Sequence, residues 1–175
     1  MDRYLTKDEV INIPQADLPL AVLSLNQRSF IATAIMVRKK SHYNHFMWMY
    51  KPGFFASQGA TFALDEITNY LDHHKLKLWH NPDWTSRERA TISECVAKDL
   101  KKGAIKTRYD WIAIIGQLTG FKWLQNPFTR ICSDYADYLM RIDPAYNLKN
   151  PAPNDVNAWF KSHPKYQVYG RYLPD

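Results

Sequence analysis

The segment NHFMWMYKPGFFASQG, residues 44–59, constrains the fold more than any other stretch of the chain. Apolar and aromatic residues flank Pro52 and Gly53, and runs of this kind broken by a Pro-Gly pair form two strands joined by a tight turn. A chain that contains it must build a sheet. The run DLPLAVLSL, Asp17 to Leu25, ends at Asn26 and predicts a short buried strand followed by a turn. KLKLW, Lys75 to Trp79, alternates charged and apolar residues as a half-buried strand does, and YQVYGRY near the C-terminus predicts a closing strand.

Helical spacing fills the intervals. Ser29 caps a largely buried helix over FIATAIMVRKK, Phe30 to Lys40, with cations in its last turn. In LDEITNYL the residues Leu64, Ile67 and Leu71 share one helical face. Thr85 and Glu88 form a capping-box pattern that opens a helix with an apolar stripe of Ala90, Ile92, Val96 and Leu100, ending near Gly103. Further helices are predicted over Tyr109 to Leu118 and Thr129 to Met140, and a short one capped by Asn154. Residues 1–14 read as a polar N-terminal arm. The whole is one α+β domain over residues 1–175, a small antiparallel sheet packed against helices.

With 46% hydrophobic and 14% aromatic residues, 175 residues can bury a core without disulfides or metal. No run of about 18 apolar residues occurs, and MDRYLTKDEV lacks the apolar stretch of a secretory signal, so the expectation is a soluble cytoplasmic chain with no transmembrane segment. The net charge of +6 suits an acidic partner: phosphate groups, an anionic lipid surface or an anionic cell-wall polymer. The basic residues follow no nucleic-acid motif. Histidines and cysteines do not fall at zinc-site spacing, so neither metal nor cofactor is expected. His73 and His74 close a polar helix and are expected to be exposed.

Cys132, in RICSDYADYL, falls where a helix should begin. Unpaired N–H groups and the helix dipole stabilise a thiolate there, which makes Cys132 the candidate nucleophile. The bland alternative is a small buried hydrophobe. Cys95, mid-helix beside Val96, reads as core. His45 opens a predicted strand among aromatic residues and is the candidate base; His42, in the preceding loop, is expected to be exposed. A thiolate–imidazole pair needs a third group to orient the ring, and the return strand offers Ser57 or Gln58.

The ordered set DLPLAVLSL, NHFMWMY, PGFFASQG, LDEITNYL, KLKLW, TSRERATISECVAKDL, TRYDW and RICSDYADYL resembles the circularly permuted branch of the NlpC-type papain-like superfamily. In that branch, which includes relatives of lecithin:retinol acyltransferase, the histidine strand precedes the cysteine helix. Asp17, His45, Gly53, Gly59, Thr85, Tyr109, Asp110, Cys132 and Ser133 stand at positions that match the pattern, across roughly residues 15–172. Asp134 stands where Glu is usual, and Ser57 or Gln58 where the family carries a Glu or His.

The resemblance implies a cysteine hydrolase of amide bonds, an amidase or endopeptidase acting through a thioester, with a cell-wall peptide as a fitting substrate. Cys132 would attack the carbonyl carbon, the N–H of Cys132 or Ser133 would hold the oxyanion, and His45 would protonate the leaving group, with Tyr109 near the nucleophile. A cell-wall target would require delivery by a phage particle or by lysis. Two other functions fit the same residues: a lipid acyl hydrolase or acyltransferase, with Trp48, Trp111, Phe121, Trp123 and Phe128 available to line an acyl groove, and a structural or binding protein that keeps the fold without the chemistry.

Overall fold

The computed structural model describes residues 3–26, 42–58, 61–102, 132–149 and 151–174. Six strands, β1 (Leu20–Asn26), β2 (His45–Lys51), β3 (Phe54–Gln58), β4 (Phe62–Glu66), β5 (His74–His80) and β6 (Gln167–Tyr172), form one antiparallel sheet in the order β4-β3-β2-β1-β5-β6. The α+β class and the antiparallel sheet are as expected. So is the β2–β3 hairpin: Lys51 pairs with Phe54, and Gly53 takes the positive φ of +74° that its tight turn requires.

The expected helix over Leu64 to Leu71 is corrected. Residues Phe62 to Glu66 are the edge strand β4, paired with β3 from Phe54↔Glu66 to Gln58↔Phe62, and only α2 (Thr68–Leu71) is helical. Ile67 and Leu71 are buried as the helical spacing required, but Leu64 is 37% exposed. A ladder with β3 satisfies the backbone of this segment, and that long-range pairing overrides a local helical pattern.

The two faces of the sheet carry separate cores. On one face α3 (Ser86–Leu100), a 3-10 helix (Cys132–Arg141) and α4 (Pro153–Ser162) pack against Ala21, Leu23, Phe46, Trp48, Ala56 and Trp79. On the other, Leu20, Val22, Met47, Met49, Leu76 and Leu78 meet Ile67 and Leu71 and the N-terminal residues Leu5, Val10 and Ile13. The first 14 residues are therefore more than a polar arm. Thr6 and Glu9 form a capping box that opens α1 (Lys7–Ile11), and the Leu5 N–H donates to the Arg171 carbonyl at 2.7 Å.

That docking leaves no room at Gly170, where a Cβ would lie 2.6 Å from Leu5 Cγ and Cδ1. Gly170→Ala should cost about 1–3 kcal/mol by overpacking. Its urea midpoint should fall accordingly, and Leu5→Ala made in that background should cost less than in the native chain. Independent, additive losses would show that Leu5 does not pack on β6.

The Thr85–Glu88 capping box opens α3 as predicted, with Ile92 and Val96 buried, while Ala90 is exposed. In α4 the cap is Ala152, whose N–H donates to Asp155 Oδ2 at 2.8 Å; Pro153 takes the first helical position and Asn154 lies inside the first turn. β5 is less alternating than its sequence. Lys77 is 3% exposed and holds its ammonium 4.2 Å from the centroid of the Trp79 ring. The helices predicted over Phe30 to Lys40 and Tyr109 to Leu118 lie outside the described residues. Among the described residues no helix is long and apolar enough to cross a membrane.

Candidate functional site

Cys132 opens the 3-10 helix and is 4% exposed. Three-residue spacing aligns it with Tyr135 and Tyr138. Both pack on the sheet: Tyr135 stacks on Phe62 at 3.9 Å and 6°, Tyr138 on Trp48 at 6.3 Å. Trp48 Nε1 donates to the Tyr135 carbonyl at 2.8 Å, which ties this helix to β2. Ser133 is fully buried, and its hydroxyl donates to the Pro151 carbonyl. Tyr109 and Asp110 lie outside the described residues, as do Gly59, Trp111, Phe121, Trp123 and Phe128.

His45 is the first residue of β2, as expected, but its ring belongs to the opposite face. It pairs with Ser24 across the β1–β2 ladder and shares its side of the strand with Met47, in the core beneath α1. Phe46 and Trp48 take the face on which the 3-10 helix packs. The sheet thus stands between the His45 ring and the helix that Cys132 opens. The two candidate orienters are divided in the same way. Ser57 pairs with Met47 on the His45 side; Gln58, paired with Phe62, lies on the Cys132 side and is 2% exposed.

The His45 side has a polar cluster of its own. Ser57 Oγ lies 2.7 Å and the Tyr70 hydroxyl 2.8 Å from Asp65 Oδ2, and the two hydroxyls are 2.7 Å apart. Two hydroxyl protons serve these three contacts, and with both donated to the carboxylate Ser57 Oγ is left only as an acceptor. Burial pushes the Tyr70 phenol well above its ordinary pKa. Next to this triangle, His74 Nδ1 lies 3.2 Å from Ser24 Oγ, and its ring meets Tyr70 edge-on at 4.9 Å.

Both histidines are held neutral. Burial lowers the His45 pKa to about 4, opposed by the charge of Asp65. His74 falls to about 4 through burial, reinforced by His73 and His45. His74 is only 6% exposed, which corrects the expectation that it is an exposed helix end; His42 is exposed as expected. No motif in the sequence marks Asp65, Tyr70 or Ser24. Asp65 and Tyr70 sit in the stretch whose spacing points to one helix, and only the β3–β4 pairing brings Asp65 to Ser57.

Cys95 and Cys132 are both free, and Cys95 packs at the margin of the helical core, where burial raises its thiol pKa. Among the described residues no group of three or more His, Cys, Asp or Glu side chains could hold a metal ion. No protein-family model matches the chain, and no curated protein matches it.

Proposed function

We propose that this chain is a binding protein on an α+β fold rather than a thiol hydrolase. The observation that carries this reading is the placement of the His45 ring and the Cys132 helix on opposite faces of the sheet. A general base must come within hydrogen-bond reach of the proton it takes, directly or through one water. A neutral histidine packed beside Ser24, His74 and Asp65 serves the second core and activates nothing on the far side.

A different observation favours a second reading, the cysteine hydrolase of amide bonds or its lipid acyl counterpart. The helix that Cys132 opens is tied to the strand that His45 opens, through Trp48 and Tyr135, and this link supports a reading in which strand and helix work together as they do in the permuted papain-like pattern. This reading requires a base from the Cys132 side of the sheet.

Alkylation of the folded chain with iodoacetamide, mapped by mass spectrometry from pH 6 to 9, separates the two. In a binding protein Cys132 reacts no faster than the half-buried Cys95, and its rate rises about tenfold per pH unit at first and levels off above about pH 8, as for an unactivated thiol with a pKa of about 8.5. Rapid labelling of Cys132 at pH 6 with a rate independent of pH would reveal a resident thiolate and overturn the binding reading. Turnover of muropeptides or of phospholipids, abolished by Cys132→Ala, would then assign the hydrolase to amide or acyl chemistry.

A further inference from the structure

The polar cluster on the His45 side of the sheet joins the edge of the sheet to its centre. Among the described residues β4 pairs only with β3, and α2, which follows it after Ile67, is four residues long. A helix that short has no stability of its own, so this edge depends on what ties it down. The Asp65 carboxylate links Ser57 of β3 to Tyr70 of α2, and the Tyr70 ring meets Phe55 edge-on at 5.2 Å and His74 at 4.9 Å. Ile67 and Leu71 are buried, and the Tyr172 hydroxyl donates to the Leu71 carbonyl at 2.8 Å. The remaining tie, Lys7 to Asp72, is an exposed ion pair and contributes little.

Three imidazoles stand at this junction. The His74 ring touches those of Tyr70 and His73, each at 4.9 Å between centroids, and its Nδ1 faces Ser24 of β1 at 3.2 Å. Among the described residues the charges that act on these rings are Asp65 of β4 on His45, and His73 and His45 on His74. A proton added to His45 or His74 in this packing places a cation beside another imidazole and away from bulk water. Its counter-charge is the carboxylate that ties Ser57 to Tyr70, and attraction to an imidazolium draws that carboxylate off the two hydroxyls. Lifting Asp65 and Tyr70 hydrates both rings, which then titrate near the ordinary value of about 6.5 instead of about 4. Below pH about 6.5 the lifted edge binds more protons than the seated one, so acid favours it.

We propose that β4 and α2 form an acid-released flap: when His45 and His74 take up protons, the flap lifts from β3 while the other five strands stay paired. The release uncovers Phe55 together with the flap's own Ile67 and Leu71, an apolar surface that neutral pH keeps closed. The edge opens before the centre because β4 is held from one side, whereas β1 is paired with both β2 and β5. The device is independent of Cys132 and holds for either outcome of the iodoacetamide labelling.

The test is amide hydrogen exchange of the full chain, mapped by mass spectrometry at pH 7 and pH 5 and corrected at each pH for the intrinsic chemical rate. Peptides within Phe62 to Leu71 should be less protected than those of β1 at both pH values, by about tenfold or more, because the flap opens without global unfolding. From pH 7 to pH 5 their protection should fall by a further factor of about ten or more, the effect of two rings that gain protons on opening. In His45→Gln/His74→Gln that fall should disappear, and each single substitution should remove part of it, with folding checked by circular dichroism. Flap peptides as well protected as β1 at pH 5 would show that the edge opens only with the whole molecule and would overturn the proposal. So would flap protection that does not change with pH, since the opening would then leave the histidines covered. An undiminished fall in the double variant, or in both single variants, would assign the acid response to carboxylates and overturn it equally.

Discussion

Trp48→Ala is expected to destabilise the protein by about 3–5 kcal/mol, the range for removal of a large aromatic side chain from a packed core. Trp48 is fully buried in the second strand of the sheet. Its ring meets Phe46 edge-to-face at 5.5 Å and stacks near Tyr138 at 6.3 Å, so truncation strips contacts from both the sheet and the 3-10 helix. It also removes the indole N–H that satisfies the Tyr135 carbonyl. Trp48→Phe separates the two losses: most of the apolar contact survives, while the hydrogen bond to the Tyr135 carbonyl is lost at about 0.5–1.5 kcal/mol. Urea unfolding at constant m measures both. A loss under about 1 kcal/mol for Trp48→Ala would mean that the helix opened by Cys132 is not fastened to the sheet through this residue.

Acid should be the second large perturbation. His45 and His74 both have folded pKa values of about 4, below the ordinary imidazole value of about 6.5. Between those values the unfolded chain binds more protons than the folded one, so stability falls as pH drops through the window. Their neutral burial costs nothing above pH about 6.5, and the full loss is reached below pH about 4. A shift of this size corresponds to about 3 kcal/mol for the well-buried His74, and less for His45, which keeps part of its surface in solvent at the end of the strand. The urea midpoint should therefore fall steeply between pH 6.5 and 4.5, and His45→Gln/His74→Gln should flatten that slope. An equally steep slope in the double variant would place the acid sensitivity on the carboxylates instead.

Several features were legible because their causes are local. The capping box at Thr85 and Glu88 needs only residues three apart, and the Pro52–Gly53 turn needs only the backbone freedom of Gly53. Local causes also misled. Leu64, Ile67 and Leu71 have helical spacing, yet the backbone hydrogen bonds of Phe62 to Glu66 go to β3, a partner no local pattern names. Polar residues at 73 and 74 suggested exposure, but His74 begins a central strand opposite Asn26 and turns its ring to Ser24.

By itself the sequence determined that a hairpin would form, that His45 would open its first strand, and that Cys132 would stand at the start of a helical segment. It also determined, through the period-two alternation of a strand, that His45 and Trp48 would face opposite ways. Only the tertiary structure decided which of those faces receives the helix of Cys132. Tyr135 and Tyr138 pack against Phe62 and Trp48, and the indole N–H of Trp48 reaches the Tyr135 carbonyl. Once that face is taken, the alternation places His45 on the other side, beside Ser24, His74 and Asp65, where burial keeps its ring neutral.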